Sequence, residues 1–230
     1  MQQPGGIAAP GANSFREIAK AAIATFFFIH SIRKMKQLNF ILMLLAAVFV
    51  SKAQAVPADT KSIIKEACRE AAEQNKNAFI IFHASWCIWC HKMDSSINDV
   101  TCKKFFDDNY IIKHITVFEV KEKARLNNAG AQEFLAAHHA AEQGIPAWFI
   151  FDKDGNLLSD SQLRSKNVGP DTEGSNVGCP ANGQEINYFI SVLEKTSKIS
   201  GEEKEAIKKR FAKNADTIQQ NMSNVDNISH

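Results

Sequence analysis

Two cysteines with two residues between them, Cys87-Ile88-Trp89-Cys90, are the part of this sequence best suited to chemistry. Such a pair closes a small disulfide and can exchange it with a partner. The attacking species is a thiolate, so the first cysteine needs a lowered pKa. A junction between a buried strand and a helix N-terminus supplies that, because the orphan N–H groups and the positive end of the helix stabilise an anion. Cys90, one turn further in, suits the resolving role: it attacks a mixed disulfide at Cys87 and releases the reduced partner. Two other chemistries use the same letters. With His91 the run reads C-x-x-C-H, the attachment motif of c-type haem, for which Met93 or Met222 is the axial candidate. Structural zinc wants two more ligands at close spacing; Cys102, His83, His138 and His139 are present without that pattern.

The elements around the pair follow from periodicity. Asp59-Thr60 caps a helix running to about Gln74, with Ile63, Ile64, Ala67, Cys68 and Ala71 on one face, and Asn75-Lys76-Asn77 ends it. Ala78 to Phe82 is a continuous apolar run, the signature of a strand buried on both faces, and it leads into Trp86-Cys87. Helices are expected from Cys87 to about Ile97 and from Val100 to Asp107, then a second buried strand from Ile111 to Glu119. Lys121 to Gly130 reads as loop, Ala131 to Gln143 as helix ended by Gly144, and Pro146 to Phe151 as a third strand. Asp152 to Gly155 is a turn signal, and Asn156 to Ser161 pairs back as a hairpin. Arg164 to Gln184 has no periodicity and is expected as a long inserted loop. An amphipathic helix from Ile186 to Thr196 and a charged one from Glu202 to Ala212 complete the chain, before a frayed polar tail. The alternation implies an α/β domain with parallel strands, to which the late hairpin adds an antiparallel edge.

Placed on those elements, strand–Trp86-Cys87-Ile88-Trp89-Cys90–helix resembles the thioredoxin superfamily, and Gly144-Ile145-Pro146 before a later strand matches that family's cis-proline signature. Cys90-His91-Lys92-Met93 and the helices after it are most similar to the periplasmic thioredoxin-like branch related to the thiol–disulfide interchange proteins. The resemblance spans about Thr60 to Ser197. It implies a thioredoxin fold, a central mixed sheet of about four strands flanked by helices. It implies a cis Ile145–Pro146 bond facing the cysteines, with the backbone of Ile145 pairing with an extended substrate segment. Trp86 is expected to shape the groove. The activity implied is thiol–disulfide exchange, with protein thiols and disulfides as substrates and a membrane electron donor. No metal or organic cofactor is implied, since the electrons reside in the dithiol. There are departures. The buried acid that the family carries six residues before the first cysteine is Ile81 here, and the family's lysine on the second central strand corresponds to Glu119, a substitute candidate for proton transfer. The dipeptide Ile88-Trp89 is neither of the family's common pairs, which leaves reductase against oxidase open.

Charge divides the chain. Of 27 basic and 25 acidic residues, 21 and 24 lie from Val56 onward, so that part carries a net charge of −3 and the basicity belongs to the leader. Nothing there forms a basic face for nucleic acid. Met35-Lys36, the apolar run Leu38 to Val50 and Ala53-Gln54-Ala55 make the pattern of a secretory signal peptide, with translation expected to start at Met35 and cleavage after Ala55. The run is too short for a confident membrane span, so a membrane association is expected only if the leader is retained. The domains expected are therefore a leader at 1–55, the thioredoxin-like domain at 56–200 with an inserted loop at 164–184, and a C-terminal helix and tail at 201–230. Export places the five cysteines where disulfides persist, in the periplasm or cell envelope. Cys68 and Cys102 are expected as buried thiols, and Cys179 as the one suited to pairing or regulation. Trp89 is expected exposed, and His138-His139 on a solvated helix surface. The rival from a different class is a non-catalytic binding or chaperone-like module whose Cys87–Cys90 disulfide is structural, supported by the loss of the buried acid at Ile81.

Overall fold

The computed structural model describes Lys20 and residues 57–165, 168 and 172–226, without the side chains of 216–226. The expected start at Met35 and cleavage after Ala55 lie outside the described residues. The chain divides into two compact units, Met1–Ala55 and Val56–His230, and the second holds the sheet and the motif cysteines.

The central strand is the apolar run read from the sequence. β1 (Asn77–His83) alternates its side chains between two faces, and both are covered. Phe79 and Ile81 point into one core, with Met93, Phe106, Trp148, Phe189 and Phe211. Ala78, Ile80 and Phe82 point into the other, with Ala67, Ala71, Leu135 and Phe149. β2 (Tyr110–Thr116) pairs parallel to β1, β3 (Ala147–Phe151) pairs antiparallel on its other side, and β4 (Leu157–Asp160) pairs antiparallel to β3. The sheet order is β2-β1-β3-β4, a four-stranded mixed sheet flanked by helices. The expectation of parallel strands with an antiparallel edge is corrected at β3. A run buried on both faces carries the same pattern in either direction, so periodicity does not report strand direction.

The helices follow their caps. α1 (Thr60–Gln74) begins where the Asp59 carboxylate accepts from Ser62 N–H at 3.1 Å and ends at Asn75, whose φ of 53° is the left-handed conformation asparagine tolerates. α2 (Ile88–Ile97) begins at Cys87. α3 (Lys103–Asn109) starts three residues later than the sequence suggests, because the Asp99 carboxylate binds Thr101 N–H and its hydroxyl and bends residues 99–102 into a turn; Val100 is left 91% exposed. β2 stops at Thr116 rather than Glu119, since Phe118 takes φ 58°. Lys121–Leu126, expected as loop, winds a 3₁₀ helix. α4 (Ala131–Ala137) is shorter than expected: His139 at φ 55° breaks it before Gly144.

The inserted loop, 164–184, pairs back on the two residues just before it. β5 (Gln162–Leu163) and β6 (Ser175–Asn176) pair antiparallel. α5 (Gly183–Thr196) starts earlier than expected, at a capping box in which the Asn182 side chain accepts from Glu185 N–H and Glu185 answers on Asn182 N–H. α6 (Gly201–Asp226) continues into the stretch expected to fray, as far as the described residues go. It docks through Ile207 and Phe211, both in the first core. Among the described residues no helix is long and apolar enough to cross a membrane.

Candidate active site

The two motif cysteines sit where β1 gives way to α2. Cys87 caps the helix, and its Sγ accepts from Cys90 N–H at 3.1 Å. Cys87 and Cys90 are joined as a disulfide, with their Cα atoms 5.3 Å apart. On reduction this geometry leaves the Cys87 sulfur at a helix N-terminus facing an N–H, the surroundings that favour a thiolate. Both cysteines are sunk, Cys87 at 4% and Cys90 at 1% exposure, while their neighbours Trp86 and Ile88 stand out at 54% and 70%. Ala84, Trp89 and Ile145 pack around the pair.

The turn before β3 comes to the same place. The Ile145–Pro146 bond is cis, and Ile145 O lies 3.5 Å from Cys87 Sγ. Of the residues singled out in the sequence, Cys87, Cys90 and Ile145 are therefore in direct contact. Trp86 flanks them, its indole Nε1–H donating to Phe118 O at 2.9 Å.

Glu119 is buried just beyond the end of β2, and its two carboxylate oxygens accept from Ser85 N–H and Ser85 Oγ–H. The Ser85 backbone N–H holds its carboxyl below the usual range, with the Ser85 hydroxyl, Lys123 and His83 adding to this against burial. Among the described residues no hydrogen bond joins Glu119 to either motif cysteine. Lys123 Nζ reaches Ser85 Oγ at 2.8 Å, and Asn127 pairs with the backbone of Glu119 through both ends of its amide, at 2.8 and 3.1 Å. His91 Nε2 lies 2.9 Å from Ser85 O, bracing the same loop. The carboxylate thus has a clear structural task, fixing the backbone that leads into Cys87. Ile81 is fully buried in the core that holds Met93 and Trp148.

Other expectations are corrected. Trp89 is not exposed: it is half-buried against the cysteines, with Lys92 Nζ 5.1 Å from its ring centre. Cys179 is not paired in a disulfide. It is a buried free thiol that accepts from Asn214 Nδ2 at 3.3 Å, and burial pushes it up to about 12. Cys68 and Cys102 are buried free thiols as expected, raised by the same cause. His138 is half-buried with its ring 4.4 Å from Phe134, so only His139 of that pair is solvated. Half-buried His83 stacks edge-on to His114 at 5.0 Å; burial and then the His114 charge lower it. Among the described residues no group of three or more His, Cys, Asp or Glu side chains could hold a metal ion.

Residues 64–162 match a family described as a thioredoxin-like domain. No curated protein matches the chain. Three solved structures illustrate its likeness to known folds. A disulphide isomerase from Xylella fastidiosa Temecula1 is 20% identical, with 47% of this chain and 80% of that chain covered and a TM-score of 0.36. The C-terminal domain of Neisseria meningitidis DsbD in the oxidised form is 19% identical, with 62% and 99% covered and a TM-score of 0.36. A thioredoxin from Thermus thermophilus is 11% identical, with 60% and 83% covered and a TM-score of 0.35.

Proposed function

We propose that this chain, whose residues 64–162 are a thioredoxin-like domain, is a thiol–disulfide oxidoreductase that reduces or exchanges disulfides in exported proteins. The observation that carries the reading is the Cys87–Cys90 disulfide at the N-terminus of α2, with Cys90 N–H directed at the Cys87 sulfur.

In the reduced protein the Cys87 thiolate attacks one sulfur of a substrate disulfide. That S–S bond breaks, and the departing substrate thiolate takes up a proton. A mixed disulfide now joins Cys87 to the substrate. Cys90 gives up its proton and attacks the Cys87 sulfur; the second substrate sulfur leaves and is protonated. Two electrons have passed to the substrate, and the protein is left as the Cys87–Cys90 disulfide. A dithiol reductant resets it, which in the envelope is a membrane electron donor. Ile145, whose carbonyl lies 3.5 Å from Cys87 Sγ, is proposed to align an extended substrate, and exposed Trp86 and Ile88 offer an apolar rim around the sunken sulfurs. The place of work is the periplasm or cell envelope.

The test is a trapping pair. Cys87→Ser is expected to abolish disulfide reduction. Cys90→Ser is expected to accumulate mixed disulfides with client proteins, released by dithiothreitol and visible on non-reducing gels. A Cys90→Ser protein that traps nothing, together with a double Cys→Ser mutant that keeps full biological activity, would instead favour the binding-module reading.

A further inference from the structure

The β5–β6 insert turns back on the Ile145–Pro146 turn and holds it from behind. Asn176, on β6, directs its side-chain amide at three carbonyls: Gln143 O at 3.2 Å, Gly144 O at 3.1 Å and Pro146 O at 3.1 Å. These carbonyls bracket Ile145, whose own carbonyl lies 3.5 Å from Cys87 Sγ. The other end of the amide, Oδ1, accepts from Gly178 N–H at 3.1 Å, and this pairing decides which end faces the carbonyls. With two N–H groups for three acceptors, the amide is fully spent on the turn.

Gly178 completes the hold. It takes φ +51°, and a Cβ there would meet Pro146 O at 3.3 Å. Its own carbonyl accepts from the buried Trp148 Nε1 at 2.8 Å. The insert is itself pinned by the pairing of Gln162 with Asn176 and by Gly174 N–H donating to the Gln162 side chain at 2.9 Å. Trp89, Ile145, Asn176, Cys179 and Glu185 share a cavity of about 210 Å³ on this side.

We propose that Asn176 is a positioning residue for disulfide exchange with polypeptide substrates. By holding the carbonyls on both sides of Ile145 it sets the backbone edge along which a polypeptide lies next to Cys87. The inference rests on the exchange reading and adds selectivity to it. A protein disulfide uses that edge, whereas a small aromatic disulfide needs only access to the sulfur.

The test compares full-length wild type, Asn176→Asp and Gly178→Ala. Asp is close in shape but turns an oxygen toward three carbonyls; Ala at 178 presses on Pro146 O. Reduction of insulin and of 5,5′-dithiobis(2-nitrobenzoate) is measured, with hydrogen exchange at residues 143–147 and 77–83. In both variants kcat/KM for insulin is expected to fall about tenfold further than the rate on the aryl disulfide, chiefly through KM. Exchange is expected to rise at 143–147 while 77–83 stays protected. Equal losses on both substrates with lost protection at 77–83 would make Asn176 a mere support of the fold and overturn the proposal, as would no loss on either. A wild type that reduces neither substrate would defeat the exchange reading itself, and this inference with it.

Discussion

At Glu119 a carboxylate is buried to hold a backbone N–H, and that choice has a pH signature. Because Ser85 N–H favours the charged form, the folded pKa lies below the unfolded value of about 4.3. The stability this group contributes is therefore present above the unfolded pKa and is lost as pH falls through the lower folded one. Glu119→Gln is expected to be less stable than wild type at pH 7, with the gap narrowing as the pH is lowered below the unfolded value; urea unfolding across that range checks it. A gap that does not change with pH would mean that the charge is not what matters. The contrast with the motif cysteines explains what is legible in the sequence at this scale. Cys87 and Cys90 are three positions apart, and Trp86 is next to them, so their chemistry is local. Ser85 bonds Glu119 across 34 positions and Asn176 bonds Gly144 across 32, and a serine or asparagine in a loop carries no pattern that reveals its partner. The surroundings of Trp89 and Cys179 are hidden for the same reason, since only the packed fold shows what covers them.

Among the elements, β1, α1 and α2 are legible because each combines a clean burial pattern with a local start or stop signal. The direction of β3 and the early ends of β2 and α4 are not. Those ends depend on left-handed residues, Phe118 and His139, at positions where neither glycine nor asparagine advertises the turn. α6 also does more than its sequence suggests. A charged helix near a chain end looks peripheral, yet Phe211 is fully buried, its ring 5.0 Å from Phe189. The same helix reaches α2 and the turn after it: Asn214 contacts Ser96 Oγ at 3.1 Å and Cys179, and Arg210 pairs with Asp99 at 2.8 Å. Phe211→Ala is therefore expected to cost about 3–5 kcal/mol, as for a large aromatic removed from a closed core. Denaturant unfolding measures this, and a loss near zero would mean that α6 is only an appendage.

For the whole molecule, the arrangement separates the Cys87–Cys90 disulfide from three buried free thiols. In the reduced native protein, iodoacetamide at pH 8 is expected to label Cys87 first and to leave Cys68, Cys102 and Cys179 unmodified until the chain is unfolded, because burial raises all three. Peptide mapping after alkylation reads this out, and fast labelling of Cys179 would contradict the packing around Asn214. Disulfide exchange requires Cys87 and Cys90 to be a reversible redox couple. It is tested most directly by equilibrating the full-length protein in dithiothreitol and glutathione buffers of graded ratio and measuring the fraction of the pair in the disulfide. A single reversible two-electron transition is expected, with a potential nearer about −270 mV, as for thioredoxin, than about −120 mV, as for a strong oxidant. A pair that shows no reversible two-electron step over that range would contradict it.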